Sequence, residues 1–292
     1  MQYRSENGRT YHAYKAGKYI FPNDDPCATN VLLDLQHHLF SLTFGGKLFL
    51  CPAGKDKQLH SVLDVGTGTG IWALDMADAY PEASVIGVDL SPIQPQFVPP
   101  NLTYFVDDIE ETWTFSNKFD FIYGRMLTGS FANWPRFFEQ SFEFLNPGGW
   151  IEMSDIVCEL KSDDNTVPEN SPLKKWTELS LEASKKLGRS IDSAKQYKDQ
   201  LEAAGFVNVT AVQYKWPLNP WPADPKYKEL GTWTQHNMLG GISGLSMALY
   251  TRGHGWTMDE LEAFLVDVRK EWKLKSIHGY WPIYVVYGQK PE

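Results

Sequence analysis

The chain has 292 residues, 42% of them hydrophobic, enough for one large core or a core with a cap. Its net charge of −9 and pI of about 5.3 argue against a nucleic-acid substrate, since phosphate binding needs a basic face and the Lys174-Lys175 and Lys185-Lys186 pairs read as solvated helix faces. Three widely spaced cysteines, no C-x-x-C, H-x-H or H-E-x-x-H pattern, no signal-peptide core and no apolar run of about 20 residues predict a cytoplasmic or nuclear protein without disulfides, metal or membrane span.

Residues 1–25 are tyrosine-rich and end in "FPNDD", a turn and cap signal. Residues 26–44 read as a helix with Leu32, Leu35, Leu39 and Leu42 on one stripe, and residues 45–60 as a loop. Ser61–Val65 and Val85–Val88 are short β-branched runs that read as buried parallel strands. Between them, Ile71–Ala79 has helical apolar spacing. The result is a strand, glycine loop, helix and strand, the shape of a mononucleotide-binding half-fold.

The loop Gly66-Thr67-Gly68-Thr69-Gly70 is G-x-G-x-G, whereas a pyrophosphate loop is G-x-G-x-x-G. Asp64 would repel a diphosphate at the mouth of this loop and attract an ammonium or sulfonium. S-adenosylmethionine, with a ribose, an amino-acid tail, a positive sulfur and no phosphate, fits that wall. The competing reading is that Asp64 only caps the turn. Asp89 lies at the tip of the second strand, about 20 residues after Gly70, where an acid can bind both ribose hydroxyls. Leu102–Val106 reads as a third strand, followed by Asp107, Asp108 and Ile109. Asp108 is expected to accept from the adenine amine, with Asp107 turned outward beside it and the Ile109 N–H near a ring nitrogen. A solvated acidic turn is the alternative for any one of these acids.

Phe119–Tyr123 is expected as a fourth strand, ending in Gly124-Arg125-Met126. Trp134, Phe137, Phe138, Ser141, Phe142 and Leu145 mark a helix, and "NPGGWIEMSDI" a stop and a fifth strand. Residues 158–192 hold a polar turn and a helix, residues 193–204 a second helix, and Phe206–Trp216 and Tyr280–Tyr287 the last two strands. About 60 residues separate these two strands: a proline-stiffened loop, an apolar helix interrupted by glycines, and a helix marked by Leu261, Leu265, Val268 and Trp272. That is too much material for a loop and reads as a helical cap over the carboxyl ends of the strands. The expected division is an N-terminal helical segment 1–58, an α/β core 59–216 with 279–292, and a cap insertion 217–278. The fold class is α/β, a Rossmann-like seven-stranded sheet with helices on both faces.

The strand order resembles the class I methyltransferases. More narrowly, "RTYHAYKAGKYIFPNDD", "LDLQHHLF", "VLDVGTGTGIWALDMA", "VIGVDLSPIQP", "VDDIEETW", "IYGRMLTGSFANWP", "LNPGGWIEM" and "SIHGYWPIYVVYGQKPE" resemble the fungal LaeA-like methyltransferases of secondary metabolism. The glycine loop is shared by many class I enzymes; the N-terminal and tail motifs are specific to this group. The resemblance implies S-adenosylmethionine held by Asp64, Gly66, Gly68, Asp89, Leu90, Asp108 and Ile109, with S-adenosylhomocysteine as product. It also implies that Tyr14, Tyr19 and Arg125 close over the cofactor. One departure stands in "PCATNVLLDLQHH": Leu32 occupies the place where the family pattern implies an arginine.

Methyl transfer from a sulfonium is an in-line displacement, so the protein mainly positions the acceptor and tunes its protonation. A phenol or enol gains from a base; a carboxylate needs none. His37 and His236 are the leading candidates for apolar context, Glu152 and Asp155 follow at the end of the fifth strand, and an exposed or structural role competes for each. Trp216, Trp221, Trp233 and Trp281 are expected around the cap, where aromatic walls suit a flat acceptor or simply build the cap's own core. The expected activity is O-methylation of a small aromatic or polyketide-like metabolite, with no nucleic acid, membrane or metal involved, and a homodimer is allowed. The alternatives are a methyltransferase-fold protein that catalyses a cyclisation or rearrangement, and a regulatory methyltransferase-like protein.

Overall fold

The computed structural model describes residues 4–6, 9–11 and 26–292. A short antiparallel hairpin, β1 (Arg4–Glu6) and β2 (Arg9–Tyr11), precedes helix α1 (Pro26–Phe44). The half-fold follows as expected: β3 (Ser61–Val65), α2 (Ile71–Ala79) and β4 (Ser84–Asp89). Next come β5 (Leu102–Val106), β6 (Phe119–Arg125), α3 (Trp134–Phe144) and β7 (Leu145–Ile156). After the two-residue β8 (Lys161–Ser162), which the sequence did not announce, come α4 (Pro172–Lys186), a 3-10 turn (Ser193–Gln196), α5 (Tyr197–Ala203) and β9 (Val207–Pro217). Helices α6 (Pro225–His254) and α7 (Met258–Trp272) then lead into β10 (Gly279–Gln289).

Strands β5, β4, β3, β6 and β7 lie side by side and parallel, with β3 at the centre. β10 runs antiparallel between β7 and β9, and β8 pairs its first residues. Alternation along the central strands covers both faces. Val62, Phe121 and Tyr123 pack with Trp72 and Met76 of α2, while Leu63, Val65 and Ile122 pack with Phe137 and Phe138 of α3 and Leu201 of α5. Trp72 stacks on Tyr123 with ring centroids 3.9 Å apart. A third cluster joins α1, α4, α6 and α7 to β9 and β10 around Trp176, Trp216, Trp272 and Trp281.

The segment between β9 and β10 differs from expectation in one instructive way. Its glycine-rich stretch is a single 30-residue helix, α6, started by Asp224, whose carboxylate accepts from the Lys226 and Tyr227 N–H groups behind Pro225. Glycine costs a helix about 1 kcal/mol against alanine, and here tertiary contact overrides it. A Cβ on Gly231 would lie 2.2 Å from the Asn219 carbonyl oxygen, and one on Gly253 2.6 Å from the Ala183 Cβ. These glycines are points of close approach rather than breaks.

Candidate active site

The parallel order reverses at β3, with β4 and β5 on one side and β6 and β7 on the other. A crevice therefore opens at the carboxyl ends of β3 and β6. The glycine loop forms its floor. Gly66 has φ 66°, and a Cβ there would lie 2.4 Å from Leu127 Cδ2. Gly70, at φ 82°, starts α2, and the Tyr104 hydroxyl donates to its carbonyl at 2.9 Å. The Thr67 N–H donates to the Val88 carbonyl at 3.0 Å, tying the loop to β4.

Two acids sit where the loop meets the strands. Asp64 is 3% exposed, and its Oδ2 accepts from Thr67 Oγ1 at 2.5 Å. Burial pushes its carboxyl up to about 7, against the pull of that hydrogen bond and of Arg125. Asp89 accepts from the Gly68 N–H and the Ser91 N–H, each at 2.9 Å. Burial raises it to about 6, opposed by those backbone donors. A carboxylate keeps further lone pairs after two such bonds, so Asp89 can still accept from a pair of hydroxyls. Beyond β5, Asp107 is exposed and Asp108 buried, and Asp108 Oδ1 accepts from the Glu110 N–H at 3.0 Å.

Above the loop lies a cavity of about 570 Å³. Asp64, Gly66, Thr67, Gly68, Asp89, Leu90, Asp107, Asp108, Ile109 and Arg125, all expected at the cofactor, lie along its wall. Tyr14 and Tyr19 lie outside the described residues. Helix α1 crosses the opening with Leu32, Leu33 and Gln36, and α6 contributes Asn237, Met238, Gly241 and Leu245. The two helices are tied together by Asn237 Nδ2, which donates to the Leu32 carbonyl at 2.8 Å. Thr69 Oγ1 donates to Asp34 at 2.7 Å and holds α1 to the loop. Gln36 and Asn237 escaped the sequence reading because a lone amide on a helix carries no spacing signal. Leu32 packs toward Gly240 and Gly241 and gives this side an apolar surface.

None of the four expected acid–base residues borders the cavity. His37 is on α1, but Arg125 Nη2 donates to its Nδ1 at 3.1 Å and its Nε2 meets Asp75 at 3.0 Å. Both ring nitrogens are engaged, and burial with the neighbouring Arg125 charge lowers it to about 4, so it stays neutral as a brace between α1, α2 and β6. His236 is exposed on α6 and does not border the cavity. Glu152 is fully buried at the other end of its contacts, accepting from the Leu50 and Cys51 N–H groups at 2.8 and 2.6 Å and so anchoring the segment before β3. Burial raises it to about 7. Asp155 accepts from the Thr128 N–H at 2.9 Å and the Tyr197 hydroxyl at 2.8 Å, which fixes the turn after β6. Trp216, Trp221, Trp233 and Trp281 do not border the cavity either. Trp281 lies in the core against Trp176 and Trp272, 6.2 and 5.7 Å between centroids, and Trp216 donates from Nε1 to Thr43.

The donor set suits S-adenosylmethionine. Among the described residues bordering the cavity there are five acids and one cation, Arg125, and one of the acids, Glu110, is paired with Arg189 at 2.8 Å. The excess of negative charge near the loop attracts a sulfonium and an ammonium and repels a diphosphate. No group of three or more His, Cys, Asp or Glu able to hold a metal occurs among the described residues. Among the same residues no helix is long and apolar enough to cross a membrane.

Comparison with known proteins gives the family. A family model described as a methyltransferase domain matches residues 35–211. The chain is 38% identical over 292 residues to "Methyltransferase pytC" of Aspergillus terreus, covering 100% of this chain and 89% of that one. It is 44% identical over 261 residues to "Probable methyltransferase tdiE" of Emericella nidulans, covering 89% and 81%. It is 32% identical to "Protein-methionine methyltransferase laeA" of the same organism, covering 99% and 77%. Loop, acids and relatives together place the chain in the class I S-adenosylmethionine-dependent methyltransferases, within their fungal LaeA-like group.

Proposed function

We propose that this protein transfers a methyl group from S-adenosylmethionine to an oxygen of a small, flat, apolar metabolite of aromatic or polyketide type. The observation that carries this is one continuous cavity with two unlike walls. The wall from β3, β4 and β5 is acidic; the wall from α1, Ile156, Met238 and Leu245 is apolar. A pocket of this size and composition suits a drug-sized ligand, the usual range being about 300–1,000 Å³. The cofactor supplies the activated methyl. Asp64 would hold the cationic amino-acid end, Asp89 the ribose hydroxyls, and Asp108 with Ile109 the adenine edge. Residues 217–278 act as the lid of the acceptor side.

No histidine or lysine borders the cavity among the described residues. An acceptor oxygen already ionised near neutral pH, such as an acidic phenol or a vinylogous enol, suits this lining, with positioning supplying the rate. The test is incubation with methyl-labelled S-adenosylmethionine and a panel of phenols, enolic polyketides and carboxylic acids, read by mass spectrometry. The expected result is a labelled methyl ether whose pH–rate profile follows the acceptor's own ionisation. Label on nitrogen, carbon or a protein side chain alone would refute the oxygen reading.

A further inference from the structure

The turn after β4 runs Leu90-Ser91-Pro92-Ile93-Gln94. Leu90, Ser91 and Ile93 border the cavity and Gln94 does not. Gln94 Nε2 instead donates twice, to the Gly68 carbonyl at 2.7 Å and to the Ser91 carbonyl at 2.9 Å. Both N–H bonds of its amide are used in this way. The same two residues are joined a second time by Asp89, whose carboxylate accepts from the Gly68 N–H and the Ser91 N–H. One amide and one carboxylate thus clamp the glycine loop to the turn after β4, the amide through two carbonyls and the carboxylate through two N–H groups.

Gly68 is the residue that needs such a clamp. Its φ is 58°, in the left-handed region, which glycine enters and leaves at little cost. A rotation of the peptide planes on either side of its Cα would carry its N–H away from Asp89. Asp89 holds the plane that bears the N–H, and Gln94 holds the plane that bears the carbonyl. We infer that Gln94 is a positioning residue for ribose binding: by fixing the Gly68 and Ser91 carbonyls it keeps the Asp89 carboxylate at the angle where its remaining lone pairs meet the ribose hydroxyls. This rests on the reading above that Asp89 takes the ribose of S-adenosylmethionine. Gln94 acts through Asp89 and touches no ligand itself, so its effect is confined to ligands that offer Asp89 a hydroxyl.

Gln94→Met, of similar length but without donors, and Gln94→Ala test this. Calorimetry measures the affinity of each variant and the parent for S-adenosylhomocysteine and for its 2′-deoxyribose analogue. The parent should prefer S-adenosylhomocysteine by about tenfold, the worth of a hydrogen bond to a charged group. Both variants should bind the deoxy analogue as the parent does, and their preference should fall to about threefold as the surviving bond loses its geometry. The same substitutions made on Asp89→Ala should cost nothing further for either ligand, since the group they position is gone. A merely structural glutamine would weaken both ligands equally and leave the preference at the parental value, which would overturn the inference. Equal losses from Gln94→Met with and without Asp89 would overturn it too. A parent that binds the two ligands equally would overturn the placement of the ribose at Asp89 and the role of Gln94 with it.

Discussion

Cofactor affinity should depend on pH in a way the two loop acids set. Asp64 and Asp89 are raised by burial, to about 7 and about 6. A bound sulfonium and ammonium favour the ionised form of Asp64, and ribose hydroxyls donate best to ionised Asp89. Affinity is thus full above the higher of these values and is lost as pH falls through them. Taking the two as independent, lowering the pH from about 7.5 to about 5.5 costs roughly 25-fold through Asp64 and roughly fourfold through Asp89, about 100-fold together. Isothermal titration with S-adenosylmethionine across that range measures it. Repeating the titration near pH 6 in buffers of different ionisation enthalpy should reveal proton release on binding. Asp64→Asn should bind more weakly at pH 7.5 and retain only the shallow, roughly fourfold dependence of Asp89. A flat parent profile, or an Asp64→Asn variant with the full slope, would refute the assignment of the cationic end of the cofactor to Asp64.

The ligand-free protein should behave in the reverse sense. Asp64, Asp89, Glu152 and Asp155 all have raised values, between about 6 and about 7, so the folded state holds more protons than the unfolded chain between roughly pH 4 and pH 7 and stability falls as pH rises through that window; denaturant midpoints at pH 5.5 and 7.5 check the direction. Gly231→Ala should destabilise by about 1–3 kcal/mol despite its better helix propensity, because the clash is with the Asn219 backbone, and urea unfolding reads it. Asp155→Ala leaves the Thr128 N–H and Tyr197 hydroxyl without their acceptor, for a loss of about 2–4 kcal/mol by the same assay. His37→Ala should weaken cofactor binding by roughly three- to tenfold by releasing Arg125, whereas His236→Ala should leave both affinity and pH profile at parental values in calorimetry.

The cofactor half was legible because its signals are local. Ser61–Val65, the spaced glycines, Ile71–Ala79 and Asp89 are consecutive in chain and in space, so periodicity and punctuation suffice. What escaped depends on partners far along the chain. The glycines of α6 look like helix breaks until Asn219 and Ala183 are seen against them. His37 has the apolar neighbours of a pocket residue, yet the turn of α1 directs it at Arg125 and Asp75. Glu152 ends a central strand, as a reacting acid can, but the backbone of Leu50 and Cys51 returns to occupy it. The tryptophans expected around the cap were read as wall or core, and Trp281 of β10 shows core: its ring packs against Trp176 of α4 and Trp272 of α7.

The place of β10 governs the order in which the molecule can be built. It follows every other element in the chain, yet lies between β7 and β9. During synthesis the glycine loop, its acids and five parallel strands emerge first and have their partners at hand. β9 pairs only with β10 among the described residues, so α6 and α7 hang from an unpaired edge until residues 279–289 arrive. The nascent protein therefore passes through a stage with a formed glycine loop, α6 and α7 unseated, and an open sheet edge. That stage ends only when β10 pairs with two strands made well before it.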